Sequence, residues 1–344
     1  MNKHTASVPA VLNDPSRGDQ IQSRPCLVCY LCGTSGEALY QGLKDRLFGA
    51  PGTWNFRRCP NIECGLIWLD PMPWEKDIGR AYAIYYTHRQ KVLSKSVFSA
   101  GRYAKSALVA VYRSLLRLTP VHREQKQLAS MYLKETLTGK LLEVGCGDGT
   151  RLARLRDLGW EVYGQETDPH AASYARDTYA VPVHLGALEE ARFPDARFDA
   201  VIMNHVIEHV HDPVRLLREC NRLLKPGGTF VAVTPNAESY GHSSFGPSWR
   251  GLEPPRHLFL FSQQTLRDAA RRAGFENVDT WTTAAHAHVI VKASLQMRSG
   301  TKQYTSWLSE ISRSILLAGY QVWMTLAHLK DKNSGEECVL RAAK

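Results

Sequence analysis

The sequence predicts an α/β protein: parallel strands with helices on both faces fill its C-terminal part, behind a small cysteine-rich module and a basic helical connector. Three observations predict this. From Lys140 onward, short apolar runs alternate with stretches of helical periodicity, the pattern of repeated βα units. Five of the eight cysteines (Cys26, Cys29, Cys32, Cys59 and Cys64) crowd into one short stretch. Between these regions Gly and Pro are scarce, and apolar and basic residues recur at helical spacing. A chain of 344 residues can bury one large core and still carry small appended units.

Residues 1–25 read as a polar, disordered tail. Met1 to Gln22 lacks the apolar stretch of a secretory signal, so the expectation is a cytoplasmic protein, with a peripheral position on a membrane left open. No stretch reaches the ~18 apolar residues that a membrane-spanning helix needs. Clustered cysteines without an export signal point to metal rather than disulfides. Residues 26–72 therefore read as a zinc-ribbon-like module. Cys29 and Cys32, followed by Gly33, have the spacing of a metal-binding turn, and Cys59 and Cys64, followed by Gly65, make a second pair. Four such thiolates close a tetrahedral structural site. The CxxxxC spacing of the second pair departs from CxxC. Cys26 also forms CxxC with Cys29, so a shifted ligand set, or lost ligation, stays open.

Residues 73–135 read as a basic helical connector or lid, in which Leu108, Val111, Tyr112, Leu115, Leu116 and Leu118 form an apolar stripe that Pro120 ends. The chain's net charge is +10, and the segment from Arg80 to Lys134 alone holds 11 Lys or Arg residues against one acid, Glu124. So concentrated a charge fits an anionic partner or a membrane surface; a solvated helical face fits equally.

Residues 136–344 read as the large domain. Lys140–Val144 is a buried strand, Gly145 to Gly149 a glycine-rich turn, and Thr150 opens a helix whose N-terminus presents unpaired N–H groups. Such a turn alone says only nucleotide. Thr150 stands where the dinucleotide fingerprint needs Gly or Ala. Glu143 puts a carboxylate at the strand end, which repels a pyrophosphate and attracts an ammonium. Glu166 ends the next strand, about 20 residues on, where an acid binds ribose hydroxyls. Together these favour S-adenosylmethionine over NAD. Further landmarks are Gly186-Ala187-Leu188-Glu189, Phe198-Asp199 before the strand to Asn204, the run His205 to Pro213, and Lys225-Pro226-Gly227-Gly228 before the strand Thr229 to Thr234.

From about 138 to 282, with Gly335 to Lys344 as a closing strand, this series resembles class I S-adenosylmethionine-dependent methyltransferases, particularly the ubiquinone-O-methyltransferase-like branch. The resemblance implies a Rossmann-like seven-stranded sheet. It implies Glu143, Gly145, Cys146, Gly147 and Gly149 around the methionyl part, Glu166 and Thr167 at the ribose, Ala187 and Leu188 at the adenine, and Asn204 and His205 near the sulfonium. The N-terminal cysteines are similar to those of a subset of these enzymes, which suggests a glycan-type acceptor.

Methyl transfer asks the protein to align an acceptor lone pair and exclude water, and a hydroxyl acceptor also needs a general base. Candidates are His257 first, then His209 and His205. His205, Glu208 and His209 share one face if a helix starts there. In the resembling branch a Glu/Glu/His set holds a divalent cation, and His205 in place of an acid disfavours one here. The loop 241–262 is the expected acceptor pocket: Trp249 offers a stacking face, Pro254 and Pro255 an extended backbone, and Arg256 a clamp for phosphate or carboxylate. A helical insertion at 303–330 covers the acceptor pocket, pairs two subunits or rests on a membrane; packed cover is the first expectation. The leading function is O-methylation of a sugar, a glycan or another small hydroxylated acceptor, lipid-linked ones included. The alternatives are an RNA methyltransferase using the ribbon and basic segment, and a non-catalytic cofactor-binding scaffold. No RNA-binding module is recognisable, so nucleic acid is not favoured as a partner. The oligomeric state is open.

Overall fold

The computed structural model describes residues 20–82, 120–133, 138–299 and 307–344. Most of the basic connector, and with it the stripe from Leu108 to Leu118, lies outside the described residues. The N-terminal module contains the strands β1 (Ser23–Arg24), β2 (Glu37–Leu43), β3 (Trp54–Arg58), β4 (Ile67–Asp70) and β5 (Met72–Pro73), and β1 and β5 pair as a short ribbon. After helix α1 (Pro120–Ala129) come β6 (Lys140–Val144), β7 (Glu161–Glu166), β8 (Val183–Leu185), β9 (Phe198–Asn204) and β10 (Leu224–Pro235). The helices α2 (Thr150–Asp157), α3 (Pro169–Tyr179) and α4 (Pro213–Leu223) lie between them. The rest comprises α5 (Tyr240–Phe245), β11 (Phe259–Leu260), α6 (Gln263–Arg272), β12 (Glu276–Thr283), α7 (Ala287–Ser299), α8 (Trp307–Lys330) and β13 (Glu337–Ala343).

Among the described residues, seven strands form the large sheet in the order β12-β13-β10-β9-β6-β7-β8. Its central strands are buried apolar runs such as Ala200–Met203 and Phe230–Val233, which suits a sheet covered on both faces. Alternate residues feed two cores. Leu142, Val201 and Phe230 point to one, and Leu141, Ile202 and Val231 to the other. The sheet is mixed rather than wholly parallel, because β13 runs antiparallel to both β10 and β12. The helices α7 and α8 pack on each other and return the chain to the edge it left, so the last strand enters from that edge. Two helices start as their residues require: Asp168 and Asp212 accept the N–H of His170 and Arg215, each ahead of a Pro at the first helical position.

The N-terminal module is built into this body. Its sheet has the order β11-β4-β3-β2, so β11, from the expected acceptor loop, completes it: Phe259 lies opposite Trp68 and Leu260 opposite Ile67. Trp54, Phe56 and Trp68 belong to the same core cluster as Leu142 and Phe230. Tyr30, inside the first cysteine turn, donates from its hydroxyl to Asp212 at the start of α4, and Arg272 donates to the Leu31 carbonyl. Among the described residues no helix is long and apolar enough to cross a membrane.

Candidate functional site

Ligands of open α/β sheets bind where the parallel strands end. At that edge lies a cleft of about 440 Å³, walled by the turn Gly145–Asp148, by Asn204 and His205 after β9, and by Leu128 of α1. A smaller cavity of about 200 Å³, beside Trp160, Asp199 and Lys225, sits at the opposite edge where strands begin. Two features of the cleft suit a ligand with a cationic head. Glu143, 1% exposed, accepts a bond from Arg151 Nη1 at 2.6 Å through Oε1, while its Oε2 is buried without a partner. Burial raises its carboxyl pKa, and Arg151 opposes this, so a cation at the free oxygen would relieve the strain of the buried charge. Gly147, at φ +55°, faces open space, so the backbone can meet a ligand directly.

The other expected cofactor residues sit around this frame. Cys146 is buried in the cleft wall. Glu166 accepts the N–H groups of Gly147, Thr167 and Asp168 at 2.7–2.9 Å, so it braces the turn with both oxygens. Thr167 and Ala187 are exposed and Leu188 is buried, all near the ends of β7 and β8 and outside the cleft wall. Gly149 serves packing: a Cβ there would lie 2.7 Å from the Cβ of Ala175, so α2 and α3 meet only if this residue has no side chain.

The three histidines expected to act as bases are placed in ways that alter their chemistry. His205 does not lie on a helix with Glu208 and His209; it precedes a 3₁₀ turn, Ile207–His209, at φ +55°. From there its Nδ1 lies 3.1 Å from Glu208 Oε1 and its Nε2 2.8 Å from Glu337 Oε1. Desolvation favours the neutral ring, but hydrogen bonds to the two carboxylates outweigh it and push the pKa up to about 10. His205 is thus a cation at neutral pH and not a base. His209 lies with Nδ1 3.0 Å from both the Arg256 carbonyl and the Tyr82 hydroxyl. Burial lowers its pKa, with Glu208 opposing. His257 is 4% exposed, with Nδ1 2.6 Å from the Gly251 carbonyl, and burial drives its pKa well down. It lies beside Glu208 and His209 and does not line the cleft. Glu208, His209 and His257 bring three donor atoms within 4.8 Å of one another, so His257 rather than His205 completes that cluster. Both Glu208 oxygens are already engaged, by His205 and by Thr234 Oγ1.

The expected acceptor loop is interior from Gly251 to Ser262 and exposed only at Ser243, Ser244 and Pro247. Trp249 is fully buried, stacked on His242 with ring centroids 4.6 Å apart, and offers no face to a sugar. Pro254 to Arg256 form a turn rather than an extended segment, with a cis Pro254–Pro255 peptide. Arg256 is fully buried and binds Glu253 at 2.8 Å, Asp45 at 2.7 Å and the Ala81 carbonyl at 2.8 Å. Its clamp closes on the protein itself.

Residues that sequence reasoning missed complete the cleft: Arg151, Glu337 and His286. Glu337 opens β13 and His286 follows β12, so the sheet order brings them beside His205. An acid at the head of an apolar strand was the available signal for Glu337; His286 carried none.

In the N-terminal module, Cys29, Cys32, Cys59 and Cys64 place four sulfurs within 4.8 Å of one another, with Cys29 to Cys64 at 3.6 Å and Cys32 to Cys59 at 3.3 Å. A tetrahedral zinc with bonds of about 2.3 Å would space its sulfurs about 3.8 Å apart. Gly33 (φ +74°) and Gly65 (φ +65°) follow the second cysteine of each turn in the left-handed region. Cys26 stands outside the group and is tied through its backbone to Asp70 and Trp68.

Residues 110–280 match a family described as a methyltransferase domain. A probable S-adenosylmethionine-dependent methyltransferase of Mycolicibacterium smegmatis is 34% identical over 141 residues, 41% of this chain and 53% of that one. A ubiquinone biosynthesis O-methyltransferase of Cereibacter sphaeroides is 32% identical over 151 residues, 41% of this chain and 61% of that one. The matches therefore span between half and two thirds of these relatives' length. Among solved structures, a Thermotoga maritima protein described as a possible histamine N-methyltransferase is 22% identical with a TM-score of 0.43, covering 71% of this chain and 97% of its own.

Proposed function

We propose that this chain carries a class I S-adenosylmethionine-dependent methyltransferase domain, a reading supported by its similarity to such proteins, and that it transfers a methyl group to a hydroxyl of a small acceptor, a sugar or glycan first, lipid-linked ones included. The observation that carries the cofactor part is Glu143, whose buried, partnerless Oε2 beside the open Gly147 suits the methionyl ammonium. The cofactor supplies an activated methyl carbon. The protein's part is to hold the amino-acid head at Glu143 and the turn, and to keep water from the cleft with α1. Leu128 and Ala129 of α1 line the cleft, and Gln125 ties that helix to the Ala285 carbonyl at 2.9 Å. The glycan-type acceptor rests on the cysteine module's resemblance. Calorimetry with S-adenosylmethionine should show one site, and Glu143→Gln should weaken it about tenfold. Isotopically labelled donor, incubated with extract small molecules and glycans, should label a hydroxylated product. Label only in RNA, or none with the donor bound, overturns the acceptor reading.

A zinc ion in the four-thiolate group would be structural, since four protein ligands leave no open position. Elemental analysis should find about one zinc per chain, lost in Cys59→Ser. Full metal content in that variant would remove Cys59 from the ligand set.

A further inference from the structure

We propose that His286 is the general base of this cleft, taking the hydroxyl proton of the acceptor while the nearby buried Glu337 carboxylate stabilises the charge its ring gains; this rests on the O-methyl transfer proposed above. His286 lies on the half of the ligand edge formed by β9, β10, β13 and β12, away from Glu166 and Leu188 at the ends of β7 and β8. It lines the cleft with 45% of its side chain exposed, unlike the enclosed His257. Its Nδ1 lies 3.9 Å from Glu337 Oε2, an ion-pair approach rather than a hydrogen bond; His205 engages Oε1, and Oε2 has no hydrogen-bond partner.

Charge balance gives this pairing its sense. Glu208, His205 and Glu337 together hold two carboxylates and one imidazolium, one net negative charge in a buried place. A proton arriving on His286 neutralises it, so the imidazolium formed during transfer is stabilised where it forms. Burial keeps the resting ring below the ordinary imidazole pKa; Glu337 opposes this, and His288, His205 and Arg151 reinforce it. The segment bearing His286 is pinned on every side. Fully buried Gln321 of α8 donates to the Ala284 carbonyl at 2.8 Å and accepts the His288 N–H at 3.1 Å, Gln125 of α1 donates to Ala285, and Thr283 Oγ1 accepts the Ala285 N–H. In the reaction the hydroxyl oxygen's lone pair forms the O–CH₃ bond, the CH₃–S pair returns to sulfur as a neutral thioether, and the O–H proton passes to the His286 Nε2.

Two measurements test this. His286→Ala should cut label transfer from methyl-labelled donor into extract glycans and small molecules by about 100-fold, with imidazole restoring part of it. Its affinity for S-adenosylhomocysteine should stay within about threefold. Activity within threefold of the unaltered protein, or a loss that imidazole does not restore, overturns the proposal. Histidine NMR of the S-adenosylhomocysteine complex decides even if no fraction takes label. His286 should be neutral at pH 7.5, with a midpoint below 6.5 that falls further in Glu337→Gln. A charged ring, or one indifferent to Glu337, overturns it. Failure of the unaltered protein to bind S-adenosylhomocysteine would instead sink the methyltransferase reading.

Discussion

At the scale of single residues, His205 sets the electrostatics of the cleft, and its environment makes stability depend on pH. Its folded pKa, about 10, lies above the free imidazole value, so its contribution is complete below about pH 6.5 and is lost as pH rises through about 10. Glu208 is the opposite case. Burial alone would raise it, but the bond to His205 holds it down at about 2, so its contribution is complete above about pH 4.5 and vanishes as pH falls through about 2. The melting temperature should therefore decline between pH 6.5 and 10, and His205→Asn should flatten that decline. An equally steep fall in the variant would assign it to other groups. The residues near the turn were legible because strand and turn fix their neighbours: Glu143, Gly147, Asn204 and His205 fall in the cleft wall. The roles of His257, Trp249 and Arg256 were not legible. Their residue types suit catalysis, stacking and anion binding, but burial decides the role, and only the packed chain shows burial.

Among the elements, the loop that carries Arg256 is a joint between the two parts of the chain. Arg256 reaches Asp45, which also accepts the N–H groups of Leu47, Phe48 and Ala50, so one carboxylate organises a module loop and neutralises a buried cation. Removing Arg256 leaves the buried Asp45 carboxylate without its cation and Glu253 with one cation fewer. Arg256→Ala should cost about 3–5 kcal/mol and lower the melting temperature on the order of 10 °C. Arg250→Ala is the comparison: its side chain is 15% exposed and pairs with the same Glu253, which then keeps Arg256, so its loss should cost less. Equal losses would mean that Asp45 adds nothing. The sequence marked this stretch as special by Pro254, Pro255 and Arg256 in a row, and read it as facing the ligand. What it lacked was β11, two residues long and without alternation, which turns the loop inward onto β4. The buried Gln321 is a similar case: it is a polar residue within a largely apolar helix, and the fold uses it to grip the segment at His286.

For the whole molecule, the exchange of parts makes the cysteine module a constituent of the large domain's core. β4 needs β11 from the far side of the chain, Trp68 and Phe259 face each other across that pair, and Tyr30 reaches the start of α4. A module that only recruited a partner would sit apart and could be removed. Here removal of residues 1–72 would strip β11 of its ladder, leave Arg256 without Asp45 and expose the apolar faces of Phe259 and Phe261, both otherwise buried. A chain of residues 73–344 should therefore melt well below Cys59→Ser, which keeps the strands and loses only the proposed metal. It should also lose S-adenosylhomocysteine binding, because Leu258 N–H holds the Glu208 carbonyl at 2.7 Å and so ties this loop to the turn beside His205. Calorimetric melting with and without S-adenosylhomocysteine separates the outcomes. A shortened chain that melts within about 3 °C of the full one, about 2 kcal/mol at this size, and still gains stability from the ligand would show that the module is an appendage. A low-melting chain that the ligand no longer shifts would show that the cleft is held open by both parts of the sequence together.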